Sequence, residues 1–137
     1  MTGLIVVGIA VITAVAFGVF RKLTDGRGRA VRADAEPRLD AGQLGEQLGR
    51  EATLLQFSSA ACAPCRATQR LLSTLSTERP ELAHVELDAA SRLDLVERFG
   101  ISRTPTVLIL NARGEVRQRL VGAPRRQQVL EALASTA

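Results

Sequence analysis

Cys62 and Cys65 are the only cysteines in this 137-residue chain, and they stand together in the run Cys62-Ala63-Pro64-Cys65. An apolar stretch, Thr53-Leu54-Leu55-Gln56-Phe57, comes before them, and a segment of helical pattern follows. A thiol at a helix N-terminus meets unpaired N–H groups and the positive end of the macrodipole, both of which favour thiolate. Thiolate is the species that attacks a disulfide, and a second thiol close by resolves the mixed disulfide that results. Strand, C-x-x-C and helix in that order predict a dithiol redox site.

Other uses of the pair fit less well. A structural zinc site takes about four ligands, and the chain offers two thiols and one imidazole, His84. Attachment of a c-type haem needs His directly after the second cysteine, where Arg66 stands. A disulfide across so short a loop restrains the unfolded chain very little, so a purely structural bridge has little physical motive. Inert buried thiols are the remaining alternative to redox chemistry. No metal and no separate cofactor are expected, since the redox-active group is the Cys62–Cys65 pair itself.

The elements that must hold these thiols follow from pattern. Residues 53–58 read as a buried strand, and a helix runs from about 62 to 77 with Leu71, Leu72 and Leu75 inward and Pro80 beyond its end. Residues 82–88 alternate as a strand, and 91–99 read as a helix with Leu93, Val96 and Phe99 apolar, stopped by Gly100. Residues 106–110 and 115–121 form an antiparallel pair around Asn111-Ala112-Arg113-Gly114, where Gly114 takes positive φ. Pro124 opens a last helix over 125–134. Asp40 caps a short helix over 41–48 that ends near Gly49, weakened by Gly42 and Gly45. Alternating helices and strands followed by a hairpin predict an α/β fold, a mixed central sheet with helices on both faces.

Residues 41–137 resemble the thioredoxin family. FSSAACAPCRATQRLL (57–72) matches the active-site strand, loop and helix, and HVELD (84–88) the next strand. FGISRTPTVLIL (99–110) is similar to the segment carrying the family's cis-proline loop, and NARGEVRQRLVG (111–122) to the closing hairpin. The resemblance implies a thioredoxin-like fold and thiol–disulfide oxidoreductase activity. Cys62 is then the exposed nucleophile and Cys65, one turn in, the resolving thiol. Pro105 is the cis-proline beside the disulfide, and Thr104 supplies backbone to an extended substrate. Three positions depart from the family. Ser58 and Ala61 stand where tryptophans are usual, Gln56 replaces a buried acid, and His84 replaces the lysine that accompanies it. An amide is no base at neutral pH, so His84, with an ordinary pKa of about 6.5, is expected to replace that acid in part as a proton relay beside Gln56.

The N-terminus is of another kind. Residues 3–20 are apolar apart from Thr13, roughly the minimum length for a helix across a bilayer core. A cleaved signal peptide competes with this reading, but no basic residue precedes the run, and the only A-x-A pattern nearby, Ala33-Asp34-Ala35, lies well beyond it. The expected organisation is a transmembrane anchor at 1–22, a basic tether at 23–40 with a short strand about 30–33, and the redox domain at 41–137. Arg21, Lys22, Arg27, Arg29 and Arg32 follow the span, so the positive-inside rule places the domain in the cytoplasm. Resemblance to tethered relatives that face outward pulls the other way. Ala10, Ala14 and Gly18 share one helical face, as small residues common in such spans often do.

Net charge is +4, of which residues 41–137 carry only +2, with 12 Arg against 10 Asp and Glu spread along the segment, and no basic-plus-aromatic platform for nucleic acid is present. The expected partners are protein disulfides or dithiols, an electron donor or acceptor, and the membrane. Two functions compete: a membrane-tethered thiol–disulfide oxidoreductase, and a non-enzymatic redox-sensing module of the same fold that regulates a membrane partner.

Overall fold

The computed structural model describes residues 1–32 and 36–136. The Ala33-Asp34-Ala35 pattern lies outside the described residues. Helix α1 (Thr2–Thr24) is followed by β1 (Gly28–Ala30), α2 (Ala41–Leu44), β2 (Ala52–Ser58), α3 (Ala63–Glu78) and β3 (Leu82–Asp88). Helix α4 (Leu93–Arg98), β4 (Thr106–Asn111), β5 (Val116–Val121) and α5 (Arg126–Ala134) complete the chain. The sheet order is β1-β5-β4-β2-β3, with β2 and β3 parallel and the other pairs antiparallel. This is the thioredoxin-like mixed sheet.

Strand alternation divides the core between the two faces. Leu55, Phe57, Val85, Leu87, Leu108 and Leu110 pack with Leu95 and Phe99 around α4. Leu54, Val107, Ile109 and Leu120 pack with Leu72 and Leu75 of α3 and Val129 and Leu133 of α5. All seven residues of β2 are buried, because it lies between β4 and β3 with helices over both faces. Buried on both sides, a central strand reads as a near-continuous apolar run.

Several local expectations shift for identifiable reasons. Asp40 caps α2 by accepting from Gln43 N at 2.8 Å, but the helix ends at Gly45, in the left-handed region at φ 75°, and does not continue to Gly49. Helix α4 begins at Leu93 because Asp88 accepts from Ala90 N and Ser91 Oγ, folding the preceding residues into a turn. That places Leu95, not Leu93, in the core; Leu93 is 61% exposed. At Gly114, φ is +77° and a Cβ would stand 1.8 Å from the carbonyl oxygen of Leu39, so the hairpin requires glycine on two grounds.

The segment expected as a tether is partly docked. Its strand starts earlier than expected, at Gly28, and pairs with β5 through Gly28↔Leu120, Arg29↔Arg119 and Ala30↔Gln118. Pairing there satisfies backbone groups that the β5 edge would otherwise leave open. Val31 N donates to Arg117 O at 2.9 Å and Leu39 N to Gly114 O at 2.9 Å, and Leu39 is buried. Helix α1 itself is exposed throughout, and its most apolar 18 residues have a mean hydropathy of 2.6. It is long and apolar enough to cross a membrane, the property that a membrane span and a signal sequence share.

Candidate active site

Cys62 is the N-cap of α3, and Pro64 lies in the first turn, where a missing N–H leaves no helical bond unmade. The pair is closed as a disulfide with Cα atoms 5.3 Å apart. Cys62 is half-buried and Cys65 is 3% exposed. One sulfur thus stands at the helix entrance, within the field of the unpaired N–H groups, and the other is sealed beneath it.

The proline loop faces the same entrance. The Thr104–Pro105 bond is cis. Ser59 Oγ and Thr104 Oγ1 lie 3.1 Å apart in a hydrogen bond that joins the loop before Cys62 to the loop before β4. Pro105 is buried, and its carbonyl oxygen accepts from Gly122 N at 2.9 Å. Arg103 donates to both carboxylate oxygens of Asp25 at 3.1 Å, so the end of the apolar helix is tied to the same loop.

Behind Cys65 lies a second layer. Gln56, fully buried, donates from Nε2 to the carbonyl oxygen of Cys65 at 2.9 Å. Its Oε1 is 3.2 Å from Nε2 of His84, which makes Nε2 the protonated nitrogen of the ring. Gln56 and His84 are thus brought together, and the bond from Gln56 reaches the backbone of the resolving cysteine and not its sulfur. Burial pushes the His84 pKa below its usual value, with Glu86 and Glu46 opposing that shift through their charge. The ring is therefore held neutral near pH 7.

A cavity of about 280 Å³ opens beside the disulfide, lined by Cys62, Cys65, Ser58, Arg66, Glu86 and Asp88, among others. Ser58 Oγ donates to Glu86 Oε1 at 2.8 Å. Sequence reasoning missed Glu86, Asp88 and Arg66. The signal was present in the period-two pattern: His84, Glu86 and Asp88 share one face of β3, and Glu86 and Asp88 pair in register with Gln56 and Ser58. Among the described residues, no group of three or more His, Cys, Asp or Glu is placed to hold a metal ion.

A dithiol at a helix entrance on a mixed α/β sheet defines a thiol–disulfide oxidoreductase, and comparison places it further. The family model described as Thioredoxin matches residues 43–135, more than half of the chain, and the chain belongs to the thioredoxin family. Thioredoxin H-type of Fagopyrum esculentum is 30% identical over 81 residues, covering 59% of this chain and 68% of that protein. Thioredoxin H4-1 of Oryza sativa subsp. japonica is 31% identical over 86 residues, covering 61% and 65%. The chain thus spans about two thirds of the length of these curated relatives. Fasciola hepatica thioredoxin shares the fold at a TM-score of 0.57 and 20% identity, over 65% of this chain and 84% of that one. A mutant thioredoxin from Halobacterium salinarum does so at 0.57 and 21%, over 64% and 77%. Thioredoxins act on protein disulfides through their cysteine pair and need no cofactor.

Proposed function

We propose that this protein is a membrane-tethered thiol–disulfide oxidoreductase that reduces or exchanges disulfides in protein partners close to a bilayer. The observation that carries the reading is the half-buried Cys62 at the N-terminus of α3 with Cys65 sealed one turn behind it. In the reduced enzyme the Cys62 thiolate attacks a partner disulfide, forming a mixed disulfide and releasing one partner thiolate. Cys65 then loses its proton and attacks Cys62 Sγ. The intramolecular bond closes, the intermolecular bond breaks, and the second partner sulfur leaves as thiolate and is protonated. Two electrons pass from the dithiol to the partner. An electron donor must return them before a second turnover.

Thr104 and Pro105 form the surface on which an extended substrate lies, with the Thr104 backbone as its pairing edge. The hydrogen bond between Ser59 and Thr104 supports this by holding that edge against the cysteine loop. Gln56 and His84 are the supporting pair behind Cys65. Because Nε2–H of His84 already faces Gln56, a proton from Cys65 would reach the neutral ring only through water and only at Nδ1, while Gln56 orients the ring and the Cys65 backbone. Tethering is supported by the apolar side chains of α1, among them Leu4 at 86% and Ile12 at 70% exposure, a surface suited to lipid. Arg21 and Lys22 in the last turn of that helix, with Arg27, Arg29 and Arg32 beyond it, favour a cytoplasmic domain.

Turnover of a protein disulfide with a small dithiol as reductant tests the activity. The parent should turn over and Cys62→Ser should not. Binding of a membrane partner that depends on redox state, with no turnover, would instead favour the sensing module, a reading motivated by the amide at Gln56. Labelling intact cells with a membrane-impermeant thiol reagent tests orientation. Rapid labelling of Cys62 from outside would reverse it.

A further inference from the structure

Resolution of a mixed disulfide on Cys62 requires Cys65 to lose its proton while buried. Burial in apolar surroundings raises a thiol pKa and so opposes that step. Among the groups that line the cavity beside both sulfurs, Arg66 carries a positive charge and accepts no proton, and the two carboxylates are Asp88 and Glu86. Asp88 is engaged at both oxygens, Oδ1 by Ala90 N at 3.1 Å and Oδ2 by Ser91 Oγ at 2.9 Å. Glu86 is engaged at Oε1 by Ser58 Oγ. Ser58 is itself buried, at 7% exposure, and lines the same cavity as the sulfurs, so the hydroxyl that holds Glu86 belongs to a residue of the wall the two cysteines share.

We infer that Glu86, acting through the Ser58 hydroxyl or one water in this cavity, is the proton acceptor for Cys65 when the mixed disulfide resolves. The Cys65 S–H bond breaks and its proton passes to the Glu86 carboxylate. The sulfur electron pair forms the bond to Cys62 Sγ, and the leaving sulfur departs with the pair from the broken intermolecular bond. The proton on Glu86 then returns to solvent or to the leaving thiolate. No further oxidant or reductant enters, because the partner disulfide supplies the oxidising equivalents. The inference rests on the dithiol mechanism proposed above and deepens it.

A merely electrostatic Glu86 would have the opposite effect. A negative charge near a thiol disfavours the thiolate, so removing it would speed resolution. A proton acceptor, by contrast, slows resolution when removed. The sign of the change decides between them.

The test uses the reduced full chain in detergent and a small aromatic disulfide, 5,5′-dithiobis(2-nitrobenzoate), in stopped flow. Release of the first thionitrobenzoate reports attack by Cys62, and release of the second reports resolution by Cys65. Glu86→Gln should slow the second phase relative to the first by at least about tenfold at pH 7. Its second phase should then climb about tenfold per pH unit between pH 6 and 8, as expected when only solvent removes the proton of a thiol with pKa near 8.5 or above. The parent should be much flatter there, with Arg66 of α3 and His84 and Asp88 on the same face of β3 as the other charged or titrating groups nearby. Glu86→Asp should recover part of the rate, and Ser58→Ala should slow the second phase if the hydroxyl carries the proton.

An unchanged or faster second phase in Glu86→Gln, or both phases slowed equally, would overturn the inference. Glu86 is exposed at its strand position, so Glu86→Gln keeps the fold, and far-ultraviolet circular dichroism checks this. Failure of the partner reading is separable. A chain that does not turn over protein disulfides would still show both phases with the small reagent.

Discussion

Gln56 donates its side-chain amide to the carbonyl oxygen of Cys65 at 2.9 Å, and the same side chain meets His84 at 3.2 Å. One buried amide thus couples the central strand β2, the neighbouring strand β3 and the first turn of α3. Its two ends are matched to a carbonyl acceptor on one side and an imidazole N–H on the other. A carboxylate at position 56 would accept from the ring but repel the carbonyl.

Gln56→Leu keeps approximate volume and removes both bonds, leaving the His84 N–H without its partner. The expected cost is roughly 1–3 kcal/mol of stability in the oxidised protein, the range for a buried polar group left unmatched. Urea unfolding measures it. An unchanged midpoint would mean that the amide contributes nothing net at this position.

In the reduced protein, Cys62 is expected to take an alkylating agent first. It is half-buried at the helix entrance, whereas Cys65 is 3% exposed, and thiolate character and access together set the rate. Brief labelling at neutral pH followed by peptide mass mapping reads the site of modification. Preferential modification of Cys65 would reverse the two roles.

His84 should make stability depend on pH near neutrality. Its folded pKa lies below the ordinary 6.5 because burial disfavours the charged ring. Between those two values the unfolded chain binds more protons, so stability rises with pH in that window and is lost as pH falls through about 6.5 toward the folded pKa. His84→Gln should flatten this part of the profile when denaturation midpoints are compared from pH 5.5 to 7.5. A parallel offset, with the slope retained, would show that another group titrates there.

Leu72 and Leu93 look alike in sequence and should differ sharply on substitution. Leu72 is 0% exposed between α3 and the sheet, whereas Leu93 is 61% exposed at the start of α4. Leu72→Ala is expected to cost about 2–5 kcal/mol through lost burial and a cavity, and Leu93→Ala about 0.5 kcal/mol or less. Chemical denaturation of the two variants is sufficient to distinguish them.

The local chemistry of the chain was legible in the sequence. C-x-x-C between an apolar run and a helical pattern marked the thiols, Asp40 marked a cap, Gly114 marked a turn of positive φ, and the apolar N-terminal run marked a helix. These signals depend on neighbours a few residues away, and so on residue type and spacing alone. The pattern over 91–99 overstates the length of this helix, which runs from Leu93 to Arg98, because the Asp88 turn that delays its start competes locally with the helical pattern. Short elements have few residues with which to settle such a competition.

What surrounds the sulfurs was decided by tertiary structure. Glu86 reads in sequence as the outward residue of an alternating strand. It reaches the cysteine cavity only because β3 lies parallel to β2 in a register that sets Gln56 beside Glu86 and Ser58 beside Asp88. The partner of Gln56 likewise depended on where α3 crosses the sheet, and the docking of residues 28–30 on whether the edge of β5 was already taken. Residue spacing fixes which face of its own strand or helix a side chain occupies. Which face of another element it meets depends on strand order and register, and these are set by packing among segments far apart in the chain.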